Sequence, residues 1–255
     1  MAFTTWNPLD LSGVTLSLGN LRATVGGGNG GVRGAHSLNS GKYYWEYTYT
    51  TLNSNTIACG ISLSSGSLTA PAAGTCILTR LAGNIFVNGS SSGGALGQIA
   101  ASSVIGIAVD FSGQLIWFRV APAGSWNGSG TANPATGVDG ISISVIAGSR
   151  FPTMTGQGGD AITANFGASA FTGVVPSGFT SGFTDVVATA KRYIVEANDG
   201  TQTTTTSPQA SGSLVHFVDA GPTLGQIRKY SGYVTTPVTY YVDDGPTLGE
   251  ERTAT

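Results

Sequence analysis

Val104-Ile-Gly-Ile-Ala-Val-Asp-Phe-Ser-Gly-Gln-Leu-Ile-Trp-Phe-Arg-Val120 is the segment that indicates the architecture most directly. It predicts two strands, Val104–Val109 and Leu115–Val120, because both are apolar runs of strand length. The connection between them contains Asp, Ser and Gly, which favour a tight turn. The first run is almost continuously apolar, which is typical of a strand covered on both faces. The segment therefore predicts a central β-hairpin.

Further short segments have the same character. Tyr43–Thr50 is dense in aromatic and β-branched residues, which favour strands. The other predicted strands are Val14–Leu18, Leu21–Val25, Thr56–Leu63, Thr75–Leu81, Asn84–Val87, Gly140–Ile146, Phe151–Met154 and Asp160–Phe166. No segment up to Phe166 has the apolar spacing of a three-turn amphipathic helix. About ten short strands joined by Gly-rich turns predict an all-β fold, a sandwich of antiparallel sheets.

Four segments rich in Gly, Ser, Asn or Pro are predicted to be turns or loops. They are Trp6–Asp10, Gly26–Gly31, Ser90–Gly97 and Ala121–Gly137. The last is the longest and has no periodicity of its own. Irregular loops of more than about 12–15 residues inside a domain usually have a function or are mobile. This loop is therefore the first place to look for a binding site.

The composition excludes several classes of function. Only 9% of the 255 residues are charged and the net charge is −2, whereas about 25% charged residues is usual. The 11 Lys and Arg residues are dispersed, so we expect no nucleic-acid partner. No apolar run approaches the roughly 18 residues of a membrane-spanning helix, and the N-terminus lacks the pattern of a secretion signal. A surface with so few charges suits extracellular or virion proteins.

Residues suited to catalysis or metal binding are sparse. The two histidines, His36 and His216, lie in different segments, and no nucleophile-elbow motif occurs. A glycosidase needs a pair of carboxylates, and the candidates for such a pair are Glu46, Asp110, Asp139 and Asp160. All but Glu46 stand at strand ends or turns, where Asp ordinarily caps the backbone. We predict a protein without enzymatic activity, cofactor or metal ion.

The two cysteines, Cys59 and Cys76, leave two alternatives. They could form a disulfide, or both could be free thiols buried in the core. The second alternative is favoured, because free cysteine is among the most buried residue types.

Trp126, in the long polar loop, is the residue best suited to contact a ligand. An indole on a loop offers a large, stiff surface with a donor at its edge. The equally weighted alternative is that it folds back to cap the sandwich. The polar residues predicted to accompany it at a ligand site are Asn127, Asn133 and Arg150. Trp6, Trp45 and Trp117 have strand or strand-edge contexts and are predicted to be core residues.

A set of short motifs occurs in a characteristic order. The motifs are Trp6-Asn-Pro8, Gly31-Val-Arg-Gly34, Gly41-Lys-Tyr-Tyr-Trp-Glu46, Ile105–Phe111, Leu115-Ile-Trp-Phe118, Phe151-Pro-Thr153 and Gly158–Gly167. Together they resemble a SPRY domain, from Phe3 to Phe183. The resemblance implies a bent antiparallel β-sandwich that acts as a binding module, with loops at one edge taking a protein or glycan partner. Trp126-Asn-Gly128 and Thr131–Pro134 make the loop similar to SPRY domains of bacteriophage structural proteins, which implies a place in the virion.

The resemblance ends at Phe183, so the sandwich is assigned to residues 1–183. Residues 184–212 are predicted to form a strand, within Lys191–Glu196, and a polar linker. Residues 213–255 contain a repeat, in which Val215–Gln226 aligns with Thr239–Glu250 at an offset of 24 residues. Each copy is a short aromatic strand followed by Asp and a Gly-Pro turn.

Two copies of about 12 residues cannot bury a core by themselves. The C-terminal tail is therefore predicted to attach either to its own sandwich or, preferentially, to a neighbouring subunit. The residues predicted to make these assembly contacts are Phe217, Pro222, Leu224, Tyr240, Tyr241, Pro246 and Leu248.

Three functions agree with these features. The first is a virion surface protein, such as a head or tail fibre or a decoration protein, that contacts a host glycan or protein through its loops and is anchored by its tail. The second is a purely structural virion subunit whose loops hold copies of itself or neighbours. The third is a free SPRY adaptor for peptides, which the tail disfavours. The expected partners are other virion proteins, copies of the same chain and a host surface molecule.

Overall fold

The computed structural model describes residues 3–69 and 73–184, together with the backbone of five strands between residues 193 and 253. The chain divides into two units, Met1–Asp185 and Val186–Thr255. None of the described residues belongs to a helix with the length and hydropathy needed to cross a bilayer.

The first unit is built of short strands. They are β1 (Trp6–Ser12), β2 (Val14–Ser17), β3 (Arg22–Val25), β4 (Asn29–Gly34), β5 (Lys42–Thr51), β6 (Ala58–Ser62), β7 (Thr75–Thr79), β8 (Asn84–Val87), β9 (Ser90–Ala95), β10 (Val104–Asp110), β11 (Leu115–Val120), β12 (Ile141–Ser142), β13 (Phe151–Gln157), β14 (Ala161–Asn165) and β15 (Thr180–Ser181). Single turns of 3-10 helix occur at Trp126–Gly128, Pro134–Thr136 and Ser144–Ile146. Residues 3–69 and 73–184 contain no α-helix.

These strands form two sheets. One has the order β1-β4-β13-β6-β7-β8-β9, and the other has the order β12-β11-β10-β5-β14-β3-β2, with β15 also paired to β5. All neighbours are antiparallel except β15 and β5, which are parallel. The two sheets stack as a sandwich around one main core, so the predicted all-β sandwich is confirmed.

The central hairpin is confirmed. The strands β10 and β11 pair with Ile107 opposite Phe118, and β10 also pairs with β5. The turn depends on Asp110, whose Oδ1 accepts a hydrogen bond of 2.6 Å from the backbone N–H of Gly113. The Lys42 ammonium lies 3.1 Å from the other carboxylate oxygen of Asp110 and ties the turn to β5.

Alternation along the central strands separates two apolar clusters. On β5, Tyr43, Trp45, Tyr47 and Tyr49 belong to the main core, whereas Tyr44 belongs to a second cluster on the opposite face. Members of this outer cluster from the neighbouring strands are Ala108 and Trp117. The second cluster explains why the run at β10 is continuously apolar. Trp6, Trp45 and Trp117 are all buried, as predicted.

Two segments predicted to be turns or loops are strand in whole or in part. Trp6–Asp10 belongs to β1, which pairs with β4, and the second half of Gly26–Gly31 belongs to β4. The glycines of β4 are explained by close approach rather than by a turn. A Cβ atom on Gly31 would lie 2.4 Å from the backbone oxygen of Leu68 and 2.6 Å from that of Met154. Only glycine fits between these two backbone segments.

The predictions for Ser90–Gly97 and Gly140–Ile146 were also wrong. Most of the first forms β9, a largely exposed strand at the edge of a sheet, where small polar residues need no apolar pattern. In the second, only Ile141–Ser142 is a strand, and a 3-10 turn follows. The carbonyl oxygens of Ile143 and Ile146 accept hydrogen bonds from the Arg150 guanidinium, and this turns the chain away from the sheet. These differences give fourteen strands among the described residues up to Asn165, rather than about ten.

The two cysteines are free and buried, which confirms the favoured alternative. They lie on the adjacent strands β6 and β7 but are not opposite each other, because Cys59 pairs with Leu78 and Cys76 with Ile61.

The second unit contains β16 (Tyr193–Glu196), β17 (Gln202–Thr205), β18 (Leu214–Phe217), β19 (Thr239–Val242) and β20 (Glu250–Thr253). A three-stranded sheet has the order β17-β16-β18, and β19 pairs with β20. The predicted strand at Lys191–Glu196 and the first strand of each repeat are confirmed, whereas β17 lies inside the segment predicted as a linker. Of the predicted assembly residues, Phe217 lies in β18 and Tyr240 and Tyr241 lie in β19. The other four, Pro222, Leu224, Pro246 and Leu248, lie outside the described residues.

Candidate binding site around Trp126

The candidate site lies on the outer face of the second sheet. Three residues stand side by side across its central strands, namely Glu46 on β5, Gly106 on β10 and Arg119 on β11. Because Gly106 has no side chain, the Tyr44 hydroxyl occupies the space above it. A Cβ atom at this position would lie 2.5 Å from the Tyr44 oxygen. The glycine therefore lets an acidic, an aromatic and a basic side chain converge.

Glu46 is the centre of a buried hydrogen-bond network. Its Oε1 accepts from the Tyr44 hydroxyl at 2.6 Å and from the N–H of Gly173 at 2.7 Å, and its Oε2 accepts from the N–H of Thr172 at 2.8 Å. Burial, together with the hydrogen bond and the charge of Glu46, raises the pKa of Tyr44, while Arg119 acts in the opposite direction. Tyr44 therefore remains a hydrogen-bond donor at neutral pH. The network fixes the segment that follows β14 over the outer face.

Arg119 connects this segment to the long loop. Its Nη2 donates a hydrogen bond of 2.7 Å to the backbone oxygen of Val174. Its guanidinium carbon lies 4.4 Å from the ring centroid of Trp126, which is a cation–π contact. One side chain thus holds the indole and the neighbouring chain segment in a fixed arrangement.

Trp126 packs onto the outer cluster and remains partly exposed. Its ring meets that of Tyr44 edge to face, with 6.4 Å between centroids and an interplanar angle of 83°. Two exposed aliphatic residues are attached to the same face of β11, because their backbone oxygens accept hydrogen bonds from the Trp117 and Arg119 side chains. Val174, which is 79% exposed, binds Arg119, and Val138, which is 44% exposed, accepts from the Trp117 indole N–H at 3.0 Å. We call Trp126, Arg119, Val138 and Val174 the Trp126 surface.

Asn127 anchors this surface from within rather than contacting a ligand. It is buried, and its Oδ1 accepts a hydrogen bond of 2.9 Å from the N–H of Phe118. Its Nδ2 donates to the backbone oxygens of Asp139 at 3.0 Å and Ile116 at 3.4 Å. The amide thus pairs with the edge of β11 as a neighbouring strand would. Its φ of 51° is one that Asn tolerates better than most residues.

The other two predicted ligand residues occupy different environments. Asn133 is exposed in the same loop, and its Oδ1 accepts from the N–H of Ala135 at 3.0 Å, capping a 3-10 turn. Arg150 is completely buried, and its Nε donates to the backbone oxygen of Ile146 at 2.7 Å. Its Nη2 also binds the side chain of Gln114. Arg150 therefore stabilises the interior through hydrogen bonds and is not part of the Trp126 surface.

Each of the four candidate catalytic carboxylates accepts hydrogen bonds from a different set of donor groups. Glu46 binds the outer segment, Asp110 caps its turn and Asp160 accepts from residues 53, 54 and 157. Asp139 is exposed and accepts from the hydroxyls of Ser129 and Thr131. In residues 3–69 and 73–184, no three His, Cys, Asp or Glu side chains are grouped to hold a metal ion. The chemistry available at the Trp126 surface is aromatic stacking, apolar contact and hydrogen bonding.

Replacing Asn127 by glycine is expected to lower the free energy of unfolding by about 2 kcal/mol, because the buried N–H of Phe118 loses its acceptor. Glycine adopts the same positive φ, so the change tests the amide rather than the backbone. Urea unfolding followed by tryptophan fluorescence measures it. Asn133→Gly is the matched control and is expected to cost less than about 1 kcal/mol. Equal losses in the two variants would contradict the anchoring role of Asn127.

Tyr44, Arg119 and Val174 were not predicted as site residues from the sequence. For the first two a signal existed, because alternation along β5 and β11 places Tyr44 and Arg119 on the face opposite the main core. Val174 lies in a segment without periodicity, and nothing local indicates which face that segment covers.

No protein-family model matches the chain, and no curated protein sequence matches it. The SPRY domain of human HERC1 is similar in structure, with a TM-score of 0.50 and 17% sequence identity over 62% of this chain and 96% of that domain. The TRIM65 PSpry domain has a TM-score of 0.49 and 14% identity over 64% of this chain and 92% of that one. A human SPRY domain has a TM-score of 0.43 and 14% identity over 63% and 99% of the two chains.

The similarity to the HERC1 domain concerns the fold, since the sequence identity is low. The order of the motifs along the chain and the two stacked sheets agree with it. The β-sandwich of this protein therefore has a SPRY-like fold.

Proposed function

We propose that this chain is a binding protein of a bacteriophage virion surface. Its SPRY-like sandwich contacts a glycan or protein of the host cell through the Trp126 surface, and its C-terminal unit attaches it to the particle. The observation that carries the proposal is the partly exposed indole of Trp126, held between Arg119 and Tyr44.

A fixed aromatic side chain at the surface is well suited to binding. Large aromatic residues contribute a disproportionate share of the energy at interfaces. Binding also costs less entropy when the side chain is already immobilised. Val138 and Val174, attached through their carbonyls to the same face of β11, add exposed apolar side chains. The surface thus combines rigidity with apolar groups that water solvates poorly.

The placement in a virion is supported by the sequence. The low fraction of charged residues and the loop similar to bacteriophage SPRY domains favour it. The repeat in the C-terminal unit supplies short strands that would pair with other virion proteins or with copies of the same chain. A purely structural subunit, with the Trp126 surface gripping a neighbour, is the competing proposal.

Particles carrying Trp126→Ala are expected to assemble normally and to adsorb to host cells about tenfold more weakly or worse, because a central aromatic contact is lost. Adsorption is measured as the rate at which free particles disappear from a host culture. Leu9→Ala, at a residue that is 94% exposed on β1, is the control and should adsorb like the wild type.

Two outcomes would contradict the proposal. Mass spectrometry of purified particles could show that the protein is not a component. Alternatively, Trp126→Ala could prevent particle assembly, which would favour the purely structural subunit. Deleting residues 213–255 is the complementary variant, which should abolish incorporation while the sandwich still melts cooperatively.

A further inference from the structure

A rim of short polar side chains lies in the same loop as Trp126. It consists of Ser129, Thr131, Asn133 and Asp139, and we call it the polar rim. Asp139 is exposed, and its Oδ2 accepts hydrogen bonds from the Ser129 hydroxyl at 3.1 Å and from the Thr131 hydroxyl. Within the described residues, no hydrogen bond is made to its Oδ1. One oxygen of an oriented carboxylate is thus free to accept a donor from outside.

The carboxylate and the indole are held by the same anchor. The Asn127 side chain, next to Trp126 in the chain, donates to the backbone oxygen of Asp139 at 3.0 Å. The preceding carbonyl, that of Val138, accepts from the Trp117 indole on β11. Both ends of the loop are therefore fastened to β11, so the polar rim keeps its position relative to the Trp126 ring.

We infer that the Trp126 surface and the polar rim together recognise a neutral, hydroxyl-rich glycan. A sugar ring packs against the part of the indole that Arg119 leaves uncovered, and its hydroxyls donate to the free oxygen of Asp139 and exchange hydrogen bonds with Asn133. This inference rests on the proposed function of the Trp126 surface and specifies its ligand.

The composition of the site favours a glycan over a protein. Protein interfaces are enriched in aromatic residues, Met and Arg and are depleted in Asp and Ser. Here the partly exposed Trp126 ring stands in a loop that also carries hydroxyl, amide and carboxylate groups, while the other partly exposed ring of the outer cluster, Phe171, packs edge to face on Tyr44. Such groups match a ligand with a donor and an acceptor on nearly every carbon atom. Hydrogen bonds to an ionised carboxylate are also about twice as strong as neutral ones.

The charges favour a neutral glycan over an anionic one. Asp139 would repel a carboxylate or sulfate on the ligand. The nearby cation, Arg119, stands across Gly106 from the Glu46 carboxylate, which offsets its charge. Asp139 accepts only from neutral hydroxyls, so its negative charge dominates at the polar rim.

The test measures binding of the fluorescently labelled full chain to host cells. Periodate, which cleaves vicinal diols of sugars, is expected to reduce binding at least tenfold, whereas protease treatment should change it less than twofold. Asp139→Asn is expected to weaken binding about five- to tenfold, because a charge-assisted hydrogen bond becomes a neutral one. Asn adopts the positive φ of residue 139, so the thermal midpoint should change by less than about 4 °C.

The other outcomes separate the inference from the proposed function. If protease abolishes binding and periodate does not, the partner is a protein, and the glycan inference fails while the proposed function stands. If Asp139→Asn strengthens binding, the glycan is anionic, and the inference also fails. If Trp126→Ala binds cells as well as the wild type, the proposed function itself fails.

Discussion

Replacing Asp160 by alanine is expected to lower the free energy of unfolding of the sandwich by about 4 kcal/mol. The carboxylate is completely buried. It accepts from the backbone N–H groups of Asn53, Ser54 and Gln157 at 2.8, 2.9 and 2.9 Å, and from the Ser54 hydroxyl. Removing it leaves several partly buried donors without an acceptor, and each such donor costs about 1–3 kcal/mol. The connection between β5 and β6 would lose its attachment to β14.

Urea unfolding measures this loss, and two other variants define its cause. Asp160→Asn should recover about half of the stability, because its amide oxygen accepts from Asn53 and Ser54 while its NH₂ faces the N–H of Gln157. Asp139→Asn changes an exposed aspartate and should cost less than about 1 kcal/mol. Similar losses at positions 139 and 160 would show that burial and hydrogen bonding are not the reason.

Alkaline pH is expected to unfold the sandwich steeply, starting near pH 9. Burial raises the pKa of the Cys59 thiol from 9.0 to about 12, and it raises the pKa of Cys76 in the same direction. Both thiols remain neutral in the folded chain but ionise in the unfolded chain. Their contribution to stability is therefore complete below pH 9 and is lost as the pH rises towards 12. Each group contributes a loss of about 1.4 kcal/mol per pH unit in this window.

Two such thiols lower the free energy of unfolding by about 5 kcal/mol between pH 9 and pH 11, which is comparable to the total stability of many domains. Above pH 10 the buried tyrosines lower the free energy of unfolding further. Burial raises the pKa of Tyr47 and Tyr49 well above 10.0, so they ionise in the unfolded chain before they ionise in the folded one. The urea midpoint as a function of pH and the absorbance of tyrosinate report the two stages.

The double variant Cys59→Ala/Cys76→Ala is the control for the first stage. The onset of destabilisation in this variant should move to about pH 10, where unfolded tyrosines begin to ionise. A urea midpoint that is constant from pH 8 to pH 11 in the wild-type chain would show that the thiols are not shielded as the structure indicates.

The strands of the central hairpin could be predicted from the sequence because their signals are local. The apolar runs at β10 and β11, and the Asp and Gly between them, specify a tight connection whatever lies around it. The same holds for the aromatic pattern of β5. Prediction failed for β4 and β9. The glycines of β4 are required because other backbone segments of the protein approach them closely, and the serines of β9 are tolerated because this edge strand is exposed. Such residues look like a loop when only the local sequence is considered.

The residues predicted to bind a ligand show the same division. Trp126 was singled out because an indole in a polar loop is unusual, and the structure keeps it partly exposed. Asn127 and Arg150 are polar and stand next to loops, but one replaces a neighbouring strand along β11 and the other is completely buried. A polar side chain that satisfies backbone groups and one that faces a ligand have the same appearance in a sequence.

The sequence by itself determined the all-β class, the central hairpin and the alternation that places Tyr44, Glu46 and Arg119 on one face, because period-two patterning is a property of each strand alone. Only the tertiary structure decided that Glu46 and Arg119 stand on either side of Gly106, with the Tyr44 hydroxyl above it. Their strands are far apart in the chain, and the register that aligns them depends on how both pair with β10. The tertiary structure also decided which segment covers that face, since the apolar residues after β14 can be buried only where the packed sheets leave a surface to receive them.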